Sequence, residues 1–210
     1  SARDDLPSGT PYLQVESTDE VFPLGDEIST IGRGEGVSVA IEDPSVSRLH
    51  AEIVRRGPHL YVSDMGLSTN GTRVNGRPIG RRVLHDGDIV TFGAARARVG
   101  GVEAPEDDAI DASETSQMRR VAAPDLTRRE CEVLNALCRP ALRHDPFVSP
   151  STVKDIAEEL VVTEAAVKQQ LLRLYHKFRI PEGPGRRSRL ANDVIAAGII
   201  RPLPEGASTG

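Results

Sequence analysis

The sequence of 210 residues predicts two domains of different class, an all-β sandwich followed by a small all-α domain. Three observations predict this division. Residues 11–102 contain short runs of β-branched and aliphatic residues, interrupted by Gly, Pro, Asn or Asp about every 8 to 12 positions. Residues 103–124 are acidic and poor in large apolar side chains. Beyond residue 124, apolar residues recur at helical spacing.

Six segments of the first domain are predicted to be strands, because they combine β-branched residues with flanking turn residues. They are Tyr12–Glu16, Ile28–Ile31, Val37–Ile41, Ala51–Arg55, Leu60–Asp64 and Ile89–Phe92. Asn75-Gly76 predicts a two-residue hairpin turn, since both central positions of such a turn need positive φ.

The acidic stretch 103–124 is predicted to be a flexible linker, because it cannot bury enough apolar surface to offset the entropy of ordering. Residues 1–10 and 204–210 are predicted to be disordered termini, and residues 125–203 form the helical domain.

Four helices are expected in the second domain. Thr127–Glu130 is a capping box ahead of the first helix. The second helix covers Thr152–Leu160, the third begins at the N-cap Thr163, and the fourth covers Arg189–Ile199. The tight turn before the third helix predicts a helix-turn-helix unit.

Composition and charge exclude several function classes. The 26 basic and 31 acidic residues give a net charge of −5, and no apolar run approaches the roughly 18 residues of a membrane span. The absence of a secretion signal predicts a cytoplasmic protein that does not bind membranes. Cys131 and Cys138 fall on one helical face and are expected to be core thiols. No catalytic motif occurs, so no enzyme activity, cofactor or metal is predicted.

Polar residues and glycines are concentrated in loops of the first domain. The blocks Ile31-Gly32-Arg33, Ser47-Arg48-Leu49-His50, Ser68-Thr69-Asn70-Gly71-Thr72 and Asp86-Gly87-Asp88 follow one another in this order. In these blocks the chain resembles the forkhead-associated (FHA) domain family. The resemblance implies a sandwich of about eleven strands whose loops at one end bind phosphothreonine.

The resemblance also implies a role for each loop residue. Arg33, Ser47 and Thr69 would hold the phosphate, Arg48 would contact phosphate or peptide backbone, and Asn70 would bind the peptide main chain. The residues expected to shape the pocket are Gly32, His50, Ser68 and Gly71. Guanidinium and hydroxyl groups suit a dianionic phosphate. Taken singly, Arg33 also fits a solvated charge at a strand end, Ser47 a turn hydroxyl, and Asn70-Gly71 a hairpin.

The second and third predicted helices contain Lys154-Asp155-Ile156-Ala157 and Thr163-Glu164, followed by Val167-Lys168 and Leu171. In these residues the chain resembles the LuxR-type (GerE-like) DNA-binding domain. The resemblance implies base contacts from Lys168, Gln169 and Gln170, and phosphate contacts from Lys154, Thr163, Arg173 and Lys177. Gln pairs well with adenine and Lys with guanine. Positions 168–189 contain seven basic residues and one acidic residue, a charge pattern typical of DNA binding.

Two features of the second domain leave alternatives open. The connection Arg139–Pro150 is longer than the family's short turn, and it fits a helix extension, a wing-like loop or a partner surface. The fourth helix fits a homodimer contact or a cap on the domain's own core. A helical bundle that binds protein instead of DNA is the alternative to the DNA-binding interpretation.

The combined interpretation is a bacterial transcription regulator that couples Ser/Thr kinase signalling to binding of double-stranded DNA. Its N-terminal partner is a phosphothreonine-containing protein or the chain's own linker, phosphorylated at Thr115. The alternative is a signalling adaptor whose helical domain binds another protein.

Overall fold

The computed structural model of the chain describes residues 5–64, 68–103, 124–143 and 149–200. The chain divides into two compact units after Leu126. Several predicted segments lie outside the described residues: residues 104–123 of the linker with Thr115, residues 1–4 of the N-terminal tail, and the tail 204–210.

The first unit is a β-sandwich of two sheets, which confirms the predicted fold class for this part of the chain. Its eleven strands within the described residues are β1 (Tyr12–Val15), β2 (Val21–Pro23), β3 (Ile28–Gly32), β4 (Val39–Ala40), β5 (Ala51–Arg56), β6 (His59–Ser63), β7 (Thr72–Val74), β8 (Arg77–Ile79), β9 (Arg81–Leu84), β10 (Ile89–Phe92) and β11 (Ala95–Gly100). One sheet has the order β2-β1-β11-β10-β7-β8, and the other has the order β4-β3-β5-β6-β9. All neighbours pair antiparallel except β3 and β4.

The inner faces of the two sheets form one aliphatic core. Ile31, Val39, Val62 and Phe92 are fully buried in it. The hairpin turn predicted at Asn75-Gly76 joins β7 to β8, and both residues have positive φ. The strand β11 was not predicted, because Arg and Ala alternate along it and neither residue favours strands intrinsically. Its Ala side chains are buried and its Arg side chains are exposed, so the tertiary packing determines this strand.

Asp125 and Leu126 belong to the sandwich, which corrects the predicted domain start at residue 125. The Leu126 N–H donates to the Arg81 carbonyl at 2.8 Å, and the Arg81 N–H donates back at 3.0 Å. Asp125 accepts a bond from the Val83 N–H at 3.2 Å. β9 is a sheet edge whose backbone groups need partners, and these two residues supply them.

The second unit contains four helices in its described residues. They are α1 (Arg128–Arg143), α2 (Val153–Leu160), α3 (Glu164–Lys177) and α4 (Arg186–Ala196). The predicted capping box is present, since the Thr127 N–H donates to Glu130 at 2.8 Å and the Glu130 N–H donates to the Thr127 hydroxyl. α4 starts three residues earlier than predicted, directly after Gly185 in a left-handed conformation.

Side-chain caps also start the two central helices. Thr152 forms a reciprocal capping box with Asp155, and the hydrogen bonds from the Thr152 hydroxyl and N–H lower the pKa of that carboxyl. The Thr163 hydroxyl accepts a bond from the Ala166 N–H at 3.2 Å. Both caps confirm the helix starts expected from the sequence.

The sequence left open the role of the connection Arg139–Pro150 and of the fourth helix, and the structure of α1 and α4 bears on both. α1 continues to Arg143 with Pro140 inside it, so the first residues of the long connection extend the helix. Residues 144–148 lie outside the described part. On α4, Leu190 and Val194 are buried where the helix packs against α1 and α3. The apolar face considered for dimerisation therefore contributes to the core of its own unit.

Candidate functional site

Two loops of the sandwich are paired through their backbones, and both carry residues assigned to phosphate recognition. The Arg33 N–H donates to the Ser47 carbonyl at 2.9 Å, and the Gly34 N–H donates to the Arg48 carbonyl at 2.9 Å. These bonds place the segment after β3 directly beside the segment before β5.

Gly32 permits this close approach. A Cβ atom at position 32 would lie 2.0 Å from the Arg48 carbonyl oxygen, well inside van der Waals contact. At position 34 a Cβ atom would lie 2.8 Å from the same oxygen. The predicted scaffold role of Gly32 therefore has a steric cause, because any side chain there forces the two loops apart.

Arg33 and Arg48 are both exposed on these adjacent loops. The Nε of Arg33 donates to the Val46 carbonyl at 3.2 Å, which fixes the direction of its guanidinium group. Two cations on neighbouring loops create a positive potential at this end of the sandwich.

A third loop joins the first two through Ser47. The Thr69 N–H donates to the Ser47 hydroxyl oxygen at 3.0 Å, although the residues lie 22 positions apart in the chain. Because the Ser47 oxygen accepts this bond, its own hydroxyl proton is oriented away from Thr69 and can be donated to a ligand. Thr69 itself is exposed beside it.

His50 connects the same loops from beneath. Its side chain is fully buried, its Nδ1 accepts the Ser47 N–H at 3.1 Å, and its Nε2 lies 3.0 Å from the Gly71 carbonyl. Since Nδ1 accepts, the proton of the neutral ring is on Nε2 and is donated to Gly71. The ring also packs edge-on against Phe92. His50 thus links these loops structurally, and its part in a phosphothreonine pocket stays a prediction.

Asp64 anchors the third loop, and sequence reasoning gave it no site role. Its buried carboxylate accepts bonds from the Ser68 hydroxyl and from the Thr72 hydroxyl, the latter at 2.9 Å. Ser68 in turn accepts the Gly71 N–H at 3.0 Å. The sequence signal that could have indicated this role is a carboxylate at the end of a buried strand, four residues before a serine.

Asn70 is held by a further segment that the sequence analysis missed. Its Nδ2 donates to the Ser45 carbonyl at 2.7 Å, and the Ser45 hydroxyl donates to Asp43 at 2.5 Å. The same hydroxyl oxygen accepts the Ala94 N–H at 2.8 Å. Hydrogen bonds from the Ser45 hydroxyl and, to a smaller extent, from the Ser45 N–H lower the pKa of the Asp43 carboxyl, which stays ionised near neutral pH. An Asp two residues before a Ser is typical of a side-chain-stabilised turn.

The arrangement therefore combines two exposed guanidinium groups, two hydroxyls and loop N–H groups on loops that hydrogen bonds join to one another. Such groups stabilise a multiply charged oxyanion through charge-assisted hydrogen bonds. Within the described ranges, no group of three or more His, Cys, Asp or Glu side chains is placed to hold a metal ion.

In the second unit, α2 and α3 are joined by the short turn Val161–Thr163, in which Val161 has a left-handed conformation. Lys168, Gln169 and Arg173 are exposed on α3. Lys154 on α2 is 73% exposed and lies 3.8 Å from Glu158. These side chains remain available to a partner, whereas the Thr163 hydroxyl already caps α3.

Two of the predicted DNA contacts are placed differently. The Oε1 of Gln170 is buried, with no hydrogen-bond partner among the described residues. Lys177 donates to the buried Glu130 carboxylate at 2.7 Å, so it ties α3 to the start of α1. Both side chains lie on the inner side of α3. The helical repeat of a sequence predicts which side of a helix faces inward only approximately.

Comparison with known proteins gives a family for the first unit. The FHA domain model matches residues 29–93. The chain is 37% identical over 94 residues to an oxoglutarate dehydrogenase inhibitor of Corynebacterium jeikeium, covering 43% of this chain and 65% of the relative. It is 36% identical over 99 residues to the glycogen accumulation regulator GarA of Mycolicibacterium smegmatis, covering 46% of this chain and 62% of the relative.

One solved structure, described as an analysis of phosphothreonine-dependent FHA domain interactions, is 32% identical with a TM-score of 0.42. The match covers 46% of this chain and 98% of that chain. The chain spans a little under two thirds of the length of the two curated relatives. Within the part of the chain that the structure describes, no helix has both the length and the apolar character needed to span a membrane.

Proposed function

The chain belongs to the FHA-domain family through its N-terminal unit, and on this basis we propose that it is a non-enzymatic signalling adaptor that binds phosphothreonine in partner proteins. The observation that carries the proposal is the bond between the Ser47 hydroxyl and the Thr69 N–H, with Arg33 on the loop paired to Ser47. It gathers a guanidinium and two hydroxyls from three separate loops.

The chemistry of this cluster favours a phosphorylated side chain over a carboxylate. A phosphate dianion offers three acceptor oxygens, and each charge-assisted hydrogen bond contributes about 1.5 to 3 kcal/mol. Three such bonds, less the cost of ordering the peptide, correspond to an affinity on the order of micromolar. That affinity suits a reversible response to a Ser/Thr kinase, which is the enzyme class that supplies the ligand.

The named functions of the relatives support an adaptor. One curated relative is an inhibitor of oxoglutarate dehydrogenase and another is a regulator of glycogen accumulation. Both names describe control of metabolism and not of transcription. In the adaptor function, the sandwich recruits a phosphorylated protein while the helical unit contacts a second protein.

The experiment that tests the proposal measures binding of degenerate phosphothreonine nonapeptides to the full chain by fluorescence anisotropy. Arg33→Ala is expected to weaken binding by about tenfold to a hundredfold, because one charge-assisted contact is lost. Arg77→Ala removes an exposed arginine on β8 and is the matched control, expected to bind as the unmodified chain does. Equal binding by Arg33→Ala, or equal binding of unphosphorylated peptides, would refute the pocket.

A second candidate function is transcription regulation, favoured by the three-residue turn between α2 and α3 and by the exposed Lys168, Gln169 and Arg173. Gel mobility shifts with random duplex DNA test it. DNA binding predicts a steep fall in affinity with salt and a loss on Lys168→Ala. A chain that shifts no DNA at low salt excludes this function and leaves the adaptor.

Phosphorylation of Thr115, with binding of the chain's own linker, remains a hypothesis that mass spectrometry after kinase treatment tests.

A further inference from the structure

The helical unit has a groove on its surface that the phosphothreonine site does not use. The groove has a volume of about 460 Å³ and lies along α3, with the start of α2 and the start of α4 completing its walls. This volume is in the range of ordinary ligand and peptide-anchor sites, about 300 to 1,000 Å³.

Apolar side chains line the floor of the groove. Leu171 and Tyr175 of α3 are largely buried, and Val153 lies at one end. Leu172 is 59% exposed and also lines the groove. Because Leu172 is exposed next to other apolar side chains, a partner that buries it would gain hydrophobic binding free energy.

Cations form the rim, and the structure fixes two of them in place. The Arg186 guanidinium lies 4.3 Å from the centre of the Tyr175 ring and donates to the Ile180 carbonyl at 3.1 Å. Arg187 donates to the Ser151 carbonyl at 2.9 Å. The third cation, Lys168, is 64% exposed and has Glu164 at 3.8 Å.

No acidic residue that the structure describes lines the groove itself; the acids nearest its cations lie outside it, Glu164 beside Lys168 and Asp155 near Arg187. The Arg186 guanidinium is already held by the Tyr175 ring and the Ile180 carbonyl, so it can meet an anionic ligand at little further cost in side-chain entropy.

We propose that this groove binds an acidic peptide segment of a partner protein, with an aliphatic side chain on the floor and carboxylates at the rim. The inference rests on the adaptor function proposed above and names the surface by which the helical unit holds its own partner. Charge complementarity selects an acidic ligand, and the floor of Val153, Leu171, Leu172 and Tyr175 selects an aliphatic anchor. A DNA phosphate backbone satisfies the first requirement but has no aliphatic group for the second.

The experiment uses the full chain and a fluorescein-labelled hexapeptide, Asp-Asp-Leu-Leu-Asp-Asp, in an anisotropy titration. Replacing the Asp residues of the probe with Asn, or its Leu residues with Ser, is expected to reduce the affinity about tenfold in each case. Leu172→Asp in the protein is expected to reduce it at least tenfold, since it removes the anchor contact and adds a repulsive charge.

Val161→Asp is the matched control. Val161 is 89% exposed and does not line the groove, so its replacement makes the same change of charge and apolarity at another site of the same unit. Its binding of the probe is expected to stay within twofold of the unmodified chain. Circular dichroism of both variants checks that the helices are retained.

The outcomes separate this inference from the proposed function. Arg33→Ala is expected to lose phosphothreonine peptides and keep the acidic probe, whereas Leu172→Asp does the reverse. Equal weakening by Leu172→Asp and Val161→Asp, or no binding of the probe at all, overturns the groove and leaves the phosphothreonine pocket standing. Binding of a duplex DNA that is lost in Leu172→Asp, without binding of the probe, assigns the groove to DNA and also overturns the inference.

Discussion

His50 offers a test of how the buried side of the pocket controls the exposed side. The variant His50→Ala removes a ring that joins two loops, because Nδ1 accepts the Ser47 N–H and Nε2 donates to the Gly71 carbonyl. After the substitution the Ser47 N–H has lost its partner, whereas the Gly71 carbonyl keeps the bond from the Gly93 N–H at 3.1 Å. Neither group contacts the ligand in the proposed binding mode, so the variant probes support and not recognition.

The magnitude follows from three lost interactions. The Ser47 N–H left without a partner costs about 1 to 3 kcal/mol, and the lost bond to the Gly71 carbonyl costs about 0.5 to 1.5 kcal/mol. The edge-on contact with Phe92 contributes about 0.5 to 1.5 kcal/mol more. The free energy of unfolding of the sandwich should therefore fall by about 2 to 6 kcal/mol. For a unit of this size, about 4 to 8 °C of melting temperature is lost per kcal/mol, which gives a decrease of at least about 8 °C.

Thermal unfolding followed by the β-sheet signal in circular dichroism measures the stability, and peptide anisotropy well below the melting temperature measures binding. In the folded variant, phosphothreonine affinity should drop about tenfold, because Ser47 and Thr69 are no longer held at one geometry. His85→Ala is the matched control, since the His85 side chain is 64% exposed. A melting temperature within about 3 °C of the unmodified chain, together with unchanged affinity, would refute the supporting role of His50.

Three further predictions concern other parts of the chain. Gly32→Ala should destabilise the sandwich by about 1 to 3 kcal/mol and abolish phosphothreonine binding, because its Cβ meets the Arg48 carbonyl oxygen; calorimetric titration showing unchanged binding contradicts this. Lys177→Met should destabilise the helical unit by about 2 to 3 kcal/mol, because the buried Glu130 carboxylate loses its cation and keeps the bond from the Thr127 N–H, and Glu130→Gln in the same chain should restore part of the loss in a thermal melt. Burial raises the pKa of Cys138 to about 12, so iodoacetamide at about pH 8 should alkylate it only after unfolding in guanidinium, as mass spectrometry would detect; rapid labelling of the native chain argues against the buried thiol.

The sequence determined those features whose cause lies within a few residues. Asn75-Gly76 makes a hairpin turn because both residues tolerate positive φ, and Thr152 and Thr163 start helices because their hydroxyls reach the next turn. The aliphatic runs of the first half and the helical repeat of the second half predicted the two kinds of packing. The loop blocks around Arg33 and Ser47 likewise indicated the candidate pocket and its family.

Only the tertiary structure decided which residues support that pocket, since their contacts join distant positions. Asp64 and Ser45 hold the loop of Thr69 and Asn70, and the local pattern around each indicates a turn but not which distant loop it supports. The same holds for Leu126, which completes a sheet edge 45 positions away in the chain because unpaired strand groups require partners. On α3, packing against α1 turned Lys177 inward and left Leu172 exposed, because a helix face is fixed by what packs against it and not by its composition alone.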